Sequence, residues 1–380
     1  MRLTRRGFLA GVAGALCARG AEGREYYQMR GGLRNAWRYL HRGAGRVVFL
    51  GGSITNMKGW RDLVSEQLTS RFPGSRLEFI NAGIPSMGSV PDAFRLVRDV
   101  FESVPLDLLF VEAAVNDSTN LFPPREQVRG MEGIVRHARL LQPDLDIVML
   151  HFVDPEKMAD YRRGRTPEVI ASHERVAERY GVPSIDLARE VTERIDAGEF
   201  TWEGDFKDLH PSPFGMKVYA RSIERLFDAA WKSPAEGPVE EYPLPEPLDE
   251  KSYFRGRLVD VADAIGWRVE QDWTPRDKVA TRPGFVHVPM LVSETAGEEC
   301  RFGFMGTAVG IFVAAGPDAG VLEYRIDKGE WRRQNLATSW SKTLHIPWAY
   351  VLDGDLKDGR HELTMRMMEG AARVAHMLVS

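Results

Sequence analysis

Between Arg46 and Leu187, short apolar runs alternate with longer stretches whose apolar residues recur every three or four positions. The short runs are Val47-Val48-Phe49-Leu50, Leu77-Glu78-Phe79-Ile80, Leu108-Leu109-Phe110-Val111, Ile147-Val148-Met149-Leu150 and Pro183-Ser184-Ile185-Asp186-Leu187. The three- and four-residue spacing over Trp60 to Arg71, Asp92 to Phe101, Arg125 to Leu141 and Thr166 to Tyr180 predicts amphipathic helices. Strands that are apolar throughout, alternating with helices, predict a parallel sheet of five strands covered on both faces. A last helix is expected over Phe214 to Trp231.

The pattern then changes. Lys232 to Glu250 carries prolines at 234, 238, 243, 245 and 247 and many glutamates, which neither a helix nor a central strand tolerates, so it reads as an extended linker. Beyond it the period is two: Leu322, Tyr324 and Ile326 alternate with Glu323, Arg325 and Asp327, and Leu363, Met365 and Met367 alternate similarly. Turn signals at Gly316-Pro317-Asp318, Asp327-Lys328-Gly329 and Asp353-Gly354-Asp355 complete the expectation of an antiparallel β-sandwich. The expected division is 24–231 for the α/β domain, 232–252 for the linker and 253–380 for the β-domain.

Composition narrows the function. With 43% hydrophobic and 27% charged residues, the 380-residue chain has ample core material and is far from the composition of disorder. A net charge of −4 gives no general attraction to nucleic acid or to an anionic membrane. Two cysteines, Cys17 and Cys300, allow at most one disulfide and cannot build a structural zinc site alone. Cys300 reads as a buried or half-buried thiol without function.

The chain opens Thr4-Arg5-Arg6-Gly7-Phe8-Leu9, followed by an apolar run to Ala18 that is too short to span a bilayer. Residues 1–23 resemble a twin-arginine signal peptide, which implies a translocase partner during export, a periplasmic or secreted protein and no stable membrane anchor. Cleavage between Ala18 and Gly23 would remove Cys17 and leave one thiol. A chain without an internal disulfide agrees with folding in the reducing cytoplasm before export.

Dinucleotide-loop, phosphate-loop and His-Glu-x-x-His signatures are absent, and Thr55 stands where the nucleophile elbow of α/β-hydrolases needs glycine. What remains is Gly51-Gly52-Ser53-Ile54-Thr55, a serine at the carboxyl end of the first parallel strand, where open α/β sheets place ligands. A serine hydroxyl needs a neighbouring base to become a nucleophile. His210 stands out among nine histidines because Asp205 and Asp208 precede it in a turn that opens the last helix. Acyl transfer also needs oxyanion donors. Asn116, after the third strand, can offer a side-chain amide, and the loop Asn81 to Ser89 a backbone N–H. His151, at the end of the fourth strand, is either a substrate contact or a structural strand-end residue. Trp60 and Trp202 read as packing rather than sugar platforms.

These strand-end loops, in this order and spacing, resemble the SGNH (GDSL-type) hydrolases over roughly Arg46 to Trp231. Gly51-Gly52-Ser53 matches the family's Gly-Asp-Ser block in the wording of its Gly-Gly-Ser-Ile-Thr subgroup, and Ala114-Val115-Asn116-Asp117 matches its Gly-x-Asn-Asp block. The resemblance implies a flavodoxin-like three-layer α/β/α fold, Ser53 as nucleophile, and an oxyanion hole from Ser53 N–H, Asn116 Nδ2 and a loop N–H. That loop donor falls on Ser86 where the family has glycine, with Gly83 and Gly88 as alternatives. The family's Asp-x-x-His block is altered, since position 207 is lysine. Asp208 is preferred as the third member, with Asp205 or a Ser-His dyad as alternatives. No metal or organic cofactor is implied.

Phe302 to Phe312 and Gly320 to Asp327 resemble jelly-roll accessory domains of carbohydrate esterases, whose aromatics, here Trp331, Trp340 and Trp348, either stack on sugars or join the core. The resulting expectation is an exported serine esterase that removes acetyl groups from a polysaccharide. The alternatives are a lipase or thioesterase of the same chemistry, and a glycan-binding protein with a decayed site.

Overall fold

The computed structural model describes residues 24–102, 105–235, 237–282 and 284–380, so the expected signal peptide lies outside the described residues. The first part is a sheet of strands β1 (Tyr27–Gln28), β2 (Ala44–Gly51), β3 (Arg76–Gly83), β4 (Leu108–Glu112), β5 (Asp146–Leu150) and β6 (Ser184–Ile185), in the order β1-β6-β5-β4-β2-β3. β2 to β6 are parallel and correspond to the five apolar runs. The sixth strand, β1, corrects the expected count. It pairs antiparallel with β6 through Tyr27 and Ile185, and two residues are too short for a period to show.

Among the described residues ten α-helices accompany the strands: α1 (Arg34–Leu40), α2 (Ser53–Asn56), α3 (Trp60–Arg71), α4 (Ser89–Leu96), α5 (Ala114–Thr119), α6 (Pro124–Leu141), α7 (Pro155–Arg162), α8 (Glu168–Arg179), α9 (Leu187–Asp196) and α10 (Pro213–Ala230). The strands are apolar throughout because both faces are covered. Val47, Phe49, Leu108 and Phe110 pack with α1, α3 and α10 on one side. Val48, Leu50, Leu109 and Val111 pack with α4, α6 and α8 on the other. Trp60 is in the first of these layers, edge-on to Phe49 at 5.3 Å, and is a packing residue. No helix among the described residues is long and apolar enough to cross a membrane.

Residues 232–252 carry no helix or strand among the described residues, yet they are pinned to the α/β domain. Glu240 N–H donates to Asn35 Oδ1, and the Asp249 carboxylate accepts from Arg129 Nε at 2.8 Å. The remainder is β-structure in two sheets. Seven strands, with 309–315, 344–353 and 372–379 at the centre, form one; 299–306, 359–369, 321–326 and 332–335 form the other. Between the described strands of this part, pairing is antiparallel apart from Ala280–Thr281, which runs parallel to Leu344–His345. The period-two residues meet as expected, with Leu322 opposite Met367, Tyr324 opposite Met365 and Ile326 opposite Leu363.

Val309–Ala315 breaks the alternation, and its packing explains why. Ile311 and Val313 face the second sheet, whereas Phe312 and Ala314 join Met290, Val292 and Leu378 in a layer continuous with Phe94 and Val90 of α4. The seven-stranded sheet is thus covered by the other sheet on one face and by the α/β domain on the other. Arg129, 1% exposed, ties the junction by donating to Asp249, Asp355 and the Gly354 carbonyl. Cys300 is fully buried, and burial pushes its thiol pKa up to about 11, which keeps it protonated and unreactive.

Candidate active site

β2 ends at Gly51 and the chain turns at once into α2, whose first residue is Ser53. The turn is crowded. A Cβ at Gly51 would lie 2.7 Å from Glu112 Cγ, and one at Gly52 would lie 2.0 Å from Asn116 Oδ1, so side chains are excluded by space at both positions. Ser53 N–H, at the first position of α2, has no intrahelical acceptor.

His210 approaches from the other end of the domain. Its turn is closed by α10, whose N-cap Ser212 accepts from Phe214 N–H and Gly215 N–H while Pro213 takes the first helical position. Ser53 Oγ and His210 Nε2 stand 2.8 Å apart, a hydrogen bond between residues 157 positions apart in the chain. Burial lowers the imidazole pKa; the Asp208 charge opposes this, and Arg282 of the β-domain adds to it. His210 is therefore neutral at and above its ordinary titration range and able to accept the serine proton.

Neither candidate acid bonds the imidazole. Asp208 Oδ1 accepts the backbone N–H of His210 at 2.6 Å and lies 3.9 Å from Nδ1, beyond hydrogen-bond reach. Asp205 is occupied with Thr201, accepting from its N–H at 2.8 Å and its hydroxyl at 2.9 Å. Lys207 occupies φ 90° and ψ −71°, a strained backbone for a residue with a side chain, and this kink sets the course of Asp208 and His210.

Asn116 lies in the first turn of α5, half-buried, with its amide directly over Gly52 and without a hydrogen-bond partner among the described residues. Across the cleft Ser86 adopts φ 71°, the left-handed region that glycine prefers, and its carbonyl accepts from Asn120 Nδ2 at 2.9 Å. Neither flanking glycine has room for a side chain. Gly83 N–H is taken by Asn81 Oδ1 at 3.0 Å, and a Cβ there would lie 2.5 Å from Asn56 N. A Cβ at Gly88 would lie 2.2 Å from Asp117 Oδ1. Of the two readings of His151, its surroundings favour the structural one: it is fully buried and bonds Glu174 through Nε2 at 2.7 Å. Trp202 is stacked on Phe206 at 5.1 Å.

Beneath these loops lies a buried polar layer that the sequence pattern does not announce. Glu112, 1% exposed at the end of β4, accepts Gly52 N–H at 3.0 Å and Thr55 Oγ–H at 3.2 Å, and burial raises its pKa to about 7. Arg95, fully buried on α4, donates to the Gly51 carbonyl at 3.2 Å. One peptide unit, Gly51 C=O and Gly52 N–H, is therefore gripped at both ends. Asp117 accepts from Ser89 N–H, Ser89 Oγ–H and His173 Nε2, locking the loop after β3 to α5 and α8. The only signal in the sequence was charge inside apolar runs, Glu112 after Phe110-Val111 and Arg95 after Phe94.

Residues 49–218 match the model of the GDSL-like lipase/acylhydrolase family. Among solved structures, a two-domain esterase (CEX) active on acetylated mannans, co-crystallised with mannopentaose, superposes with a TM-score of 0.74 at 19% identity, over 93% of this chain and 96% of its own. A second structure of such an esterase gives a TM-score of 0.75 over the same shares, again at 19% identity. Both halves of the fold are thus shared with a known protein. Among curated proteins none matches the sequence.

Proposed function

Starting from a GDSL-type acylhydrolase domain and an enzyme that hydrolyses ester bonds, we propose that Ser53 is its nucleophile and His210 its general base. The observation that carries this is the 2.8 Å hydrogen bond from Ser53 Oγ to Nε2 of a neutral imidazole. As Oγ attacks the ester carbonyl, its proton passes to Nε2, and the tetrahedral oxyanion is held by Ser53 N–H, Ser86 N–H and Asn116 Nδ2. His210 returns the proton to the departing alcohol. Water, deprotonated by the same nitrogen, then releases the acid. Asp208 supplies charge at 3.9 Å and order in the turn, so the pair works as a dyad with an electrostatic third member.

We infer O-deacetylation of a polysaccharide as the reaction. A groove of about 390 Å³ supports this reading, running between the two domains past Asn120, Phe122, Arg332 and Trp348, with Asn120 bonded to the Ser86 carbonyl. The likeness to mannan-active esterases agrees with it, as do the exposed Trp340 and an expected export signal. Fluorophosphonate labelling with Ser53→Ala as control, followed by acetate release from acetylated mannan and xylan, tests both halves. Labelling that persists in Ser53→Ala would refute the nucleophile. A preference for acyl chains of eight carbons or more would refute deacetylation in favour of a lipase.

A further inference from the structure

The nucleophile turn is connected to the β-domain by an unbroken series of hydrogen bonds. From the Gly51 carbonyl the first partner is Arg95 Nη2 at 3.2 Å. Arg95 is fully buried and is oriented by two carboxylates of its own helix, Asp92 on Nε at 2.7 Å and Asp99 on Nη1 at 2.8 Å. Asp99 in turn accepts from Nε and Nη2 of Arg98. The remaining nitrogen, Nη1 of Arg98, donates across the domain boundary to His376 Nε2 at 3.0 Å. His376 is on Ala372–Val379, a central strand of the seven-stranded sheet.

Three features distinguish this from an incidental surface contact. Arg98 and Asp99 lie in a π-helical turn, Val97–Phe101, that directly continues α4; such turns are rare and concentrate at functional positions. The strand bearing His376 is rigidly placed, paired with 309–315 on one side and 288–293 on the other. Finally, His376 is a committed acceptor: burial and the Arg98 charge hold its pKa down at about 4, so Nε2 keeps its lone pair wherever an esterase works.

We propose that the β-domain positions the nucleophile, the relay His376–Arg98–Asp99–Arg95 fixing the Gly51–Gly52 peptide and with it the direction in which Ser53 faces His210. This rests on Ser53 being the nucleophile. Arg98, Asp99 and His376 are positioning residues and touch no reacting atom. The β-domain thereby serves turnover of any ester, including one too small to reach it.

The experiment uses the full chain and 4-nitrophenyl acetate. His376→Ala removes the acceptor, whereas His376→Gln restores one at similar reach. The expected result is a fall in kcat of about three- to tenfold for His376→Ala with KM changed less than about twofold, since a misplaced nucleophile affects the reaction more than binding. His376→Gln recovers most of kcat. Asp99→Asn combined with His376→Ala is no worse than Asp99→Asn alone, because both interrupt one series. Unchanged kcat in His376→Ala, a change in melting temperature only, or additive losses in the double variant would each overturn the relay. Fluorophosphonate labelling of Ser53 in the unmodified protein reports separately on the nucleophile, so the two readings fail by different results.

Discussion

The carboxylate of Asp208 turns toward its own backbone, accepting the His210 N–H at 2.6 Å while standing 3.9 Å from the Nδ1 it would hold in a hydrogen-bonded triad. A negative charge at that distance still raises the affinity of the imidazole for a proton, but it does not fix the tautomer.

Asp208→Asn is therefore expected to lower kcat/KM less than about tenfold, against the roughly 10⁴-fold that accompanies loss of a bonded triad acid. The pH profile gives the sign. As the proposed general base His210 must be neutral, and its pKa lies below the usual 6.5 because of burial, with Asp208 opposing that shift. The acid limb of kcat/KM should fall below about pH 6.5. Removing the Asp208 charge should move it lower still. A loss of 10³ or more would show that the carboxylate bonds the ring during turnover, and a limb that moves upward would show that the Asp208 charge does not act on the imidazole.

Two small residues of the cleft should respond oppositely. Gly52→Ala places a methyl group 2.0 Å from the present site of Asn116 Oδ1, and the amide must swing away from its proposed place in the oxyanion hole. The expected loss in kcat is about 10²- to 10³-fold, that of deleting an oxyanion donor, and equal to the loss in Asn116→Ala. Ser86→Gly relieves a left-handed backbone at φ 71° and leaves the donor N–H in place. It should retain kcat within about twofold and raise unfolding free energy by about 0.5–1 kcal/mol in a denaturant titration. Loss of activity in Ser86→Gly would mean that the hydroxyl takes part.

Glu112 predicts a stability profile. Its pKa is raised by burial to about 7 in the folded chain, against 4.5 when unfolded, so the native state holds more protons between those values. The contribution of this group is full below about pH 4.5 and is lost as pH rises through about 7. Glu112→Gln keeps an oxygen for Gly52 N–H and removes the titration. In melting experiments from pH 5 to 8, the variant should lose less stability with rising pH than the unmodified protein does. Parallel curves would place the Glu112 pKa at its ordinary value.

Much of the architecture was legible because periodicity reports burial. Apolar runs such as Leu108 to Val111 are strands covered on both faces, and Leu322, Tyr324 and Ile326 are a strand covered on one. Val309–Ala315 reads as apolar throughout because it is buried between the second sheet and the α/β domain, a relation no local window contains. The two-residue β1 was illegible for lack of length. Ser53 and Asn116 were offered as candidates by residue type at strand ends, His210 by its place in the turn that opens the last helix, and Ser86 by family resemblance alone.

The order of the elements, the export expectation and the types of residue offered to an ester were determined by the sequence by itself. Tertiary structure alone decided the rest: that Ser53 meets His210 at 2.8 Å, that Asp208 caps a turn instead of a ring, that His151 is buried on Glu174, and that Glu112 and Arg95 grip one peptide from opposite sides. The reason is one of range. Periodicity and turn preference act over a few neighbouring residues, whereas hydrogen bonds form wherever the fold brings partners within about 3 Å. In this chain the hydrogen-bond partners are separated by 157 residues at Ser53 and His210 and by 278 residues across the domain boundary.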